Sequence, residues 1–198
     1  MIKTKFIASN NPMVRSLFWQ PKTDILKILN KTTIGRITVI IGNYLIWFFL
    51  FYISYLLIKF QYNIFWQILI ATIIGEIVEK YGKSHEIWRR PLFQRNDPTP
   101  IGLVDSWYKT GSFPSGHTIK ALFFLLFLIQ YPVFPISSYL LIVTPLLFFR
   151  DLVGFHFPID MVGGIVFGAI SWLLSSNITF PTNITNIFSR VFNFIFRI

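Results

Sequence analysis

Two histidines and one short turn hold the groups in this chain that can do chemistry. Phe113-Pro114-Ser115-Gly116-His117 stands just ahead of a 29-residue run without charge, Ala121 to Phe149. Pro114 fixes φ and donates no backbone hydrogen bond, and Gly116 lets the backbone come close to a ligand. Ser115 is a favoured N-cap, so a helix is expected to start here with its N–H groups facing outward. Such a start is a natural anion site, and His117 adds a proton donor that titrates near neutrality. Downstream, His156 and Asp160 are four residues apart, and Pro158 suits the first turn of a helix. Both side chains can then enter one cleft. The carboxylate can hold one imidazole nitrogen and leave the other as a nucleophile. The same spacing also suits a purely structural cap of that helix. With His156 as base or nucleophile, a protonated His117 would donate to the leaving oxygen.

Lys83, Arg90 and Arg150 are three cations with few acids near them in sequence. Around an anion they suggest phosphate, for which Arg offers a two-pronged fork and Lys a point charge. Taken singly, Lys83 and Arg90 read equally well as loop charges facing lipid headgroups. Arg150 points more firmly to a ligand because it directly follows an apolar segment.

The elements that must position these groups are hydrophobic. Of 198 residues, 54% are hydrophobic and 13% charged, with mean hydropathy +0.59, which argues for a membrane protein rather than a soluble domain. The net charge of +10 raises nucleic acid as a partner. The basic residues flank apolar spans and no nucleic-acid motif accompanies them, so anionic lipid or phosphate is the better reading. There is no cysteine, which excludes disulfides and thiolate metal sites.

Residues 1–36 hold seven Lys/Arg against one acid, Asp24, and read as a basic amphipathic segment lying at the interface. Ile37 to Ile58 is uncharged and long enough to span. Phe60 to Ile74 pairs with it as a hairpin. Residues 81–113 form a long polar loop with turns at Asn96-Asp97-Pro98 and Pro100-Ile101-Gly102, a length more often functional than not. Gly116 to Tyr131 and Ile136 to Phe149 are the third and fourth spans. At sixteen residues, or about 24 Å, the third falls short of a roughly 30 Å hydrocarbon core. Its start therefore sits inside the boundary, where a cavity can open. Arg150 to Asp160 reads as a polar link, and the fifth span runs to about Leu174. In it Gly164-xxx-Gly168 is spaced for close helix packing. The expectation is an all-α integral membrane bundle of five, or at most six, transmembrane helices. Residues 37–175 form its core unit, and 176–198 a polar link and interfacial tail. Span parity puts Lys83, Arg90, Ser115, His117, Arg150, His156 and Asp160 on one face.

Three pieces in order, Lys83-x6-Arg90-Pro91, Pro114-Ser115-Gly116-His117 and Arg150-x5-His156-x3-Asp160, resemble the type 2 phosphatidic acid phosphatase family of membrane lipid phosphatases. The resemblance covers about residues 76–175. It implies a nucleophilic His156 that forms a phosphohistidine, Asp160 orienting it, and His117 as general acid. It implies phosphoryl binding by Lys83, Arg90, Arg150, Ser115 and the Gly116 N–H, and no metal or other cofactor. The family usually carries Ser where this chain has Phe149. Short bacterial members act on undecaprenyl diphosphate, phosphatidylglycerol phosphate or phosphatidate, and size favours an isoprenoid diphosphate by analogy alone. A lipid phosphotransferase using the same histidine, and a non-catalytic membrane protein of the same fold, are the competing readings. Two guides to orientation disagree: fifteen of the 18 Lys/Arg fall on the motif face, which the positive-inside rule makes cytoplasmic, whereas the resemblance implies an extracytoplasmic site in the cell membrane.

Overall fold

A computed structural model describes residues 11–20, 24–94 and 110–196. The turns expected at 96–102, and Lys3, Lys5, Lys22, Arg95, Asp97, Asp105 and Lys109, lie outside the described residues. Within them the regular structure is helical: α1 Pro12–Leu17, α2 Asp24–Lys31, α3 Thr33–Phe60, α4 Phe65–Ser84, α5 Pro91–Gln94, α6 Gly116–Gln130, α7 Ile136–Leu152, α8 Pro158–Ser176 and α9 Thr182–Phe196.

Among the described residues three segments are long and apolar enough to cross a membrane: Thr33–Phe60, Tyr62–Ser84 and Pro158–Ser176. Large apolar side chains cover their outer faces, among them Phe48, Phe51, Ile73 and Leu173, all exposed. In water such faces are costly, and in a bilayer they meet lipid. α6 and α7 are shorter, at 15 and 17 residues. α6 is the centre of the bundle. It touches α3, α4 and α7, and it packs most extensively against α8. Gly164 and Gly168 make that contact possible, since a Cβ on either would overlap Thr118, the Ser115 and Ile119 carbonyls or Leu122. The apolar core gathers around Phe123, Phe127, Ile46, Ile53 and Leu57.

Several boundaries differ from the sequence reading, each for a physical reason. α3 begins at Thr33 rather than Ile37, because the Thr32 hydroxyl accepts from the Gly35 N–H and caps it. α4 runs on to Ser84 and takes residues 81–84 out of the polar loop. Its last turns are polar, but Glu79 and Lys83 pair across one turn and neutralise each other. α7 extends through Arg150 to Leu152, so Arg150 and Asp151 lie in its last turn rather than in a link. The remaining link, 153–157, is buried because Val153, Phe155 and Phe157 are core residues. The tail from Thr182 is one helix, with Phe188 stacked on Phe65 and Phe180 on Trp66 at the α3–α4 turn.

Candidate active site

The end of α4, the start of α6, the end of α7 and the start of α8 meet at one end of the bundle, and all eight expected site residues belong to these ends or the segments joining them. Backbone bonds fix the meeting. The Ser115 N–H donates to the Asp160 carbonyl at 3.0 Å, Ser112 N–H to the Trp88 carbonyl at 3.2 Å, Gly111 N–H to the Lys83 carbonyl at 3.2 Å, and Leu92 N–H to the Gly154 carbonyl at 3.0 Å. The link turns back on itself at Gly154, whose φ of 85° suits glycine.

His156 is fully buried in that link. Its Nδ1 lies 3.1 Å from the Ser112 carbonyl oxygen. A carbonyl only accepts, so Nδ1 carries the proton and Nε2 keeps its lone pair. Burial first, and then the charges of Arg90, Arg150 and Lys83, hold the His156 pKa well below the ordinary imidazole value. The ring is therefore neutral at physiological pH, as a nucleophile must be.

Asp160 supports this arrangement less directly than its spacing suggested. Its Oδ1 accepts from Trp88 Nε1 at 2.8 Å. Its Oδ2 accepts from the Phe157 N–H at 2.8 Å, capping α8, and stands 3.5 Å from His156 Nδ1. The carboxylate is thus first a helix cap, and the neutral His156 ring is its more distant neighbour. The hydrogen bond that fixes the tautomer goes to Ser112.

Phe155 organises the two arginines. Its carbonyl accepts from Arg90 Nη1 at 3.2 Å, and its ring lies 5.3 Å below the Arg150 guanidinium carbon. Arg150 also bonds the Asn43 amide oxygen of α3. Both guanidinium groups are thereby held beside the residue that precedes His156.

The lysine side is different. Lys83 is ion-paired with Glu79, and Glu79 Oε2 also takes Lys120 Nζ at 3.1 Å. Lys120 reaches Glu76 as well, at 2.7 Å. The shortage of acids read from sequence therefore does not hold around Lys83. The Glu79 carboxylate lies against Gly116, where a Cβ would overlap it, so glycine is what admits an anionic group to the start of α6. Ser115 occupies the N-cap position, but its hydroxyl accepts from Thr118 Oγ1 at 3.0 Å instead of closing the cap.

His117 sits in the first turn of α6. Its ring meets Trp47 edge-on at 5.2 Å, and its Nε2 is buried without a hydrogen-bond partner. Arg150, Lys120, His156 and Lys83 all lie within electrostatic reach of it. The third histidine, His85, is exposed against Tyr81, away from this cluster. Phe149, in the place of the family serine, covers Gly42 and packs α7 on α3. Among the described residues no three His, Cys, Asp or Glu side chains gather as a metal site.

Five contributors escaped sequence reasoning: Ser112, Trp88, Asn43, Glu79 and Lys120. Glu79 had a signal, its four-residue spacing to Lys83 on one helix. So did Asn43, an amide in an uncharged span. Ser112 acts through its carbonyl and Trp88 through a contact 72 residues away, and neither leaves a pattern in the chain. Phe18, just after α1, also reaches the site, with its ring on Trp88 and Phe157.

The described residues thus form an all-helical bundle with apolar outer faces and a histidine–arginine cluster at one end. Residues 79–184, more than half of the chain, match the PAP2 superfamily. The chain belongs to that superfamily, whose members are phosphatases of phosphorylated lipids or related substrates. No curated protein and no solved structure matches the chain.

Proposed function

We propose that this protein is a membrane-embedded phosphatase that cleaves a lipid phosphate monoester or diphosphate through a phosphohistidine on His156. The observation that carries the reading is the Ser112 carbonyl on His156 Nδ1, which leaves Nε2 as a neutral nucleophile. Nε2 attacks phosphorus, the bond from phosphorus to the leaving oxygen breaks, and its electron pair goes to that oxygen. His117, protonated once the anionic phosphate is bound beside it, supplies the proton from Nε2, the ring nitrogen that no protein group engages. Water then attacks the phosphohistidine and gives a proton back to His117, the phosphorus–nitrogen bond breaks with its electron pair returning to His156 Nε2, and phosphate is freed. Arg90, Arg150 and Lys83, with Ser115 and the Gly116 N–H, bind the phosphoryl oxygens and stabilise the charge that builds on them. Lys83 exchanges Glu79 for the substrate as it does so. No step calls on a metal.

Five alternating crossings, by α3, α4, α6, α7 and α8, bring the site-bearing ends to one face, with residues 37–175 as the catalytic unit and α9 at the opposite interface. The leading substrate class is an isoprenoid diphosphate. The test is phosphate release from a short-chain lipid phosphate by the detergent-purified protein. Release by wild type and none by His156→Ala supports the reading, whereas equal release by both rules it out.

A further inference from the structure

α3 and α4 are consecutive in the chain, yet they touch little beyond their connecting turn, because each packs mainly on other partners. The gap between them is floored by α6 and forms an open groove with a cavity volume of about 100 Å³. Its walls are Trp47, Leu50 and Ser54 on α3, Thr72 on α4, and Lys120 and Phe124 on α6.

The order of these residues along the helices matters. Trp47 and Lys120 mark the upper end, where Lys120 Nζ lies 4.8 Å over the Trp47 ring and the same ring meets His117. Lys120 is held there by Glu76 and Glu79, so this end is polar and adjoins the site. Below it the wall is apolar apart from two hydroxyls. Trp47 to Ser54 is seven residues, about 10 Å of helix, running from the level of His117, at the middle of α3, toward its Phe60 end. The groove therefore passes from charged to apolar in the same direction as a lipid does, from phosphate to hydrocarbon.

We infer that this groove holds the hydrocarbon chain of the substrate, with the head–tail junction at the level of Lys120. The inference rests on the lipid-phosphatase reading above and adds where the chain lies. The gain is positional. Surrounding lipid is as apolar as the groove, so binding there fixes the direction of approach and aligns the phosphoryl group with His156.

Ser54→Trp and Thr72→Trp fill the groove from opposite walls. Each is expected to lower kcat/KM for a long-chain alkyl phosphate at least tenfold more than for p-nitrophenyl phosphate, which has no chain. Equal losses on both substrates, or no loss on either, would overturn the inference. A second measurement does not depend on turnover. An alkyl phosphate with a mid-chain diazirine should label Trp47, Leu50, Ser54 and Phe124 in wild type, and less in Ser54→Trp. Label spread over the lipid-facing Phe48 and Leu141 in both proteins shows a chain left in bulk lipid and contradicts the groove. Wild type that cleaves neither substrate sinks the phosphatase reading, and the labelling still decides the groove.

Discussion

The two histidines of the site are held in opposite ways. His156 lies in a buried link between two helices, with Nδ1 on a carbonyl, a carboxylate at 3.5 Å and two arginines fixed by its neighbour Phe155. His117 lies on the first turn of a helix, with one ring edge on Trp47 and a buried Nε2 that no protein group engages. The first has its protonation and orientation dictated, and the second keeps a nitrogen for something else. A nucleophile needs a fixed lone pair, whereas a general acid needs a proton it can release. The difference in tethering is what supports the two roles proposed for them.

That contrast can be broken most severely at His156. His156→Ala is expected to lower kcat by roughly 10⁴-fold or more, the order seen when a covalent nucleophile is lost. Phosphate release from a lipid phosphate measures it. His117→Gln should cost about 10²- to 10⁴-fold on an alkyl phosphate. On p-nitrophenyl phosphate the cost should be much smaller, because that leaving group departs without a proton. Similar losses on both substrates would take the acid role from His117.

How much of this was legible beforehand depended on what each residue acts through. The order of apolar runs gave the helices, because a membrane span announces itself by length and lack of charge. His117, His156, Asp160, Arg90 and Arg150 were legible as titratable groups at membrane depth, which demand a partner or a job. The pairing of Lys83 with Glu79 was available from spacing but was obscured by reading residues 81–84 as loop. The tether on His156 was not legible. It is a backbone carbonyl 44 residues away, and any residue type at 112 offers one. The same holds for Trp88, whose indole reaches Asp160 only once the fold is formed.

Trp88→Phe sharpens the comparison on the His156 side. It removes the Nε1–H bond to a fully buried carboxylate, for which a loss of about 1.5–3 kcal/mol is expected. Thermal unfolding in detergent should register it, and activity should fall less than for either histidine variant. Unchanged stability would mean that Asp160 draws its support elsewhere.

The smallest expected effect concerns pH. Because the folded His156 pKa is depressed, the unfolded chain binds a proton that the folded chain does not once pH falls below about 6.5. The contribution is complete above that pH and is lost progressively as pH falls toward the lower folded value. Melting temperatures at pH 7.5, 6.5 and 5.5 should therefore fall more steeply on acidification, or rise less, in wild type than in His156→Gln. An identical slope in both proteins would contradict a neutral, buried His156.

The central claim, that His156 carries the phosphoryl group, is tested most directly by trapping it. Wild type is mixed with lipid phosphate labelled with ³²P, quenched in base, where phosphohistidine survives, and digested for peptide mapping. The account predicts label on the peptide containing His156 and none in His156→Ala. Label that persists in the variant, or turnover by wild type with no labelled histidine at any quench time, would contradict it.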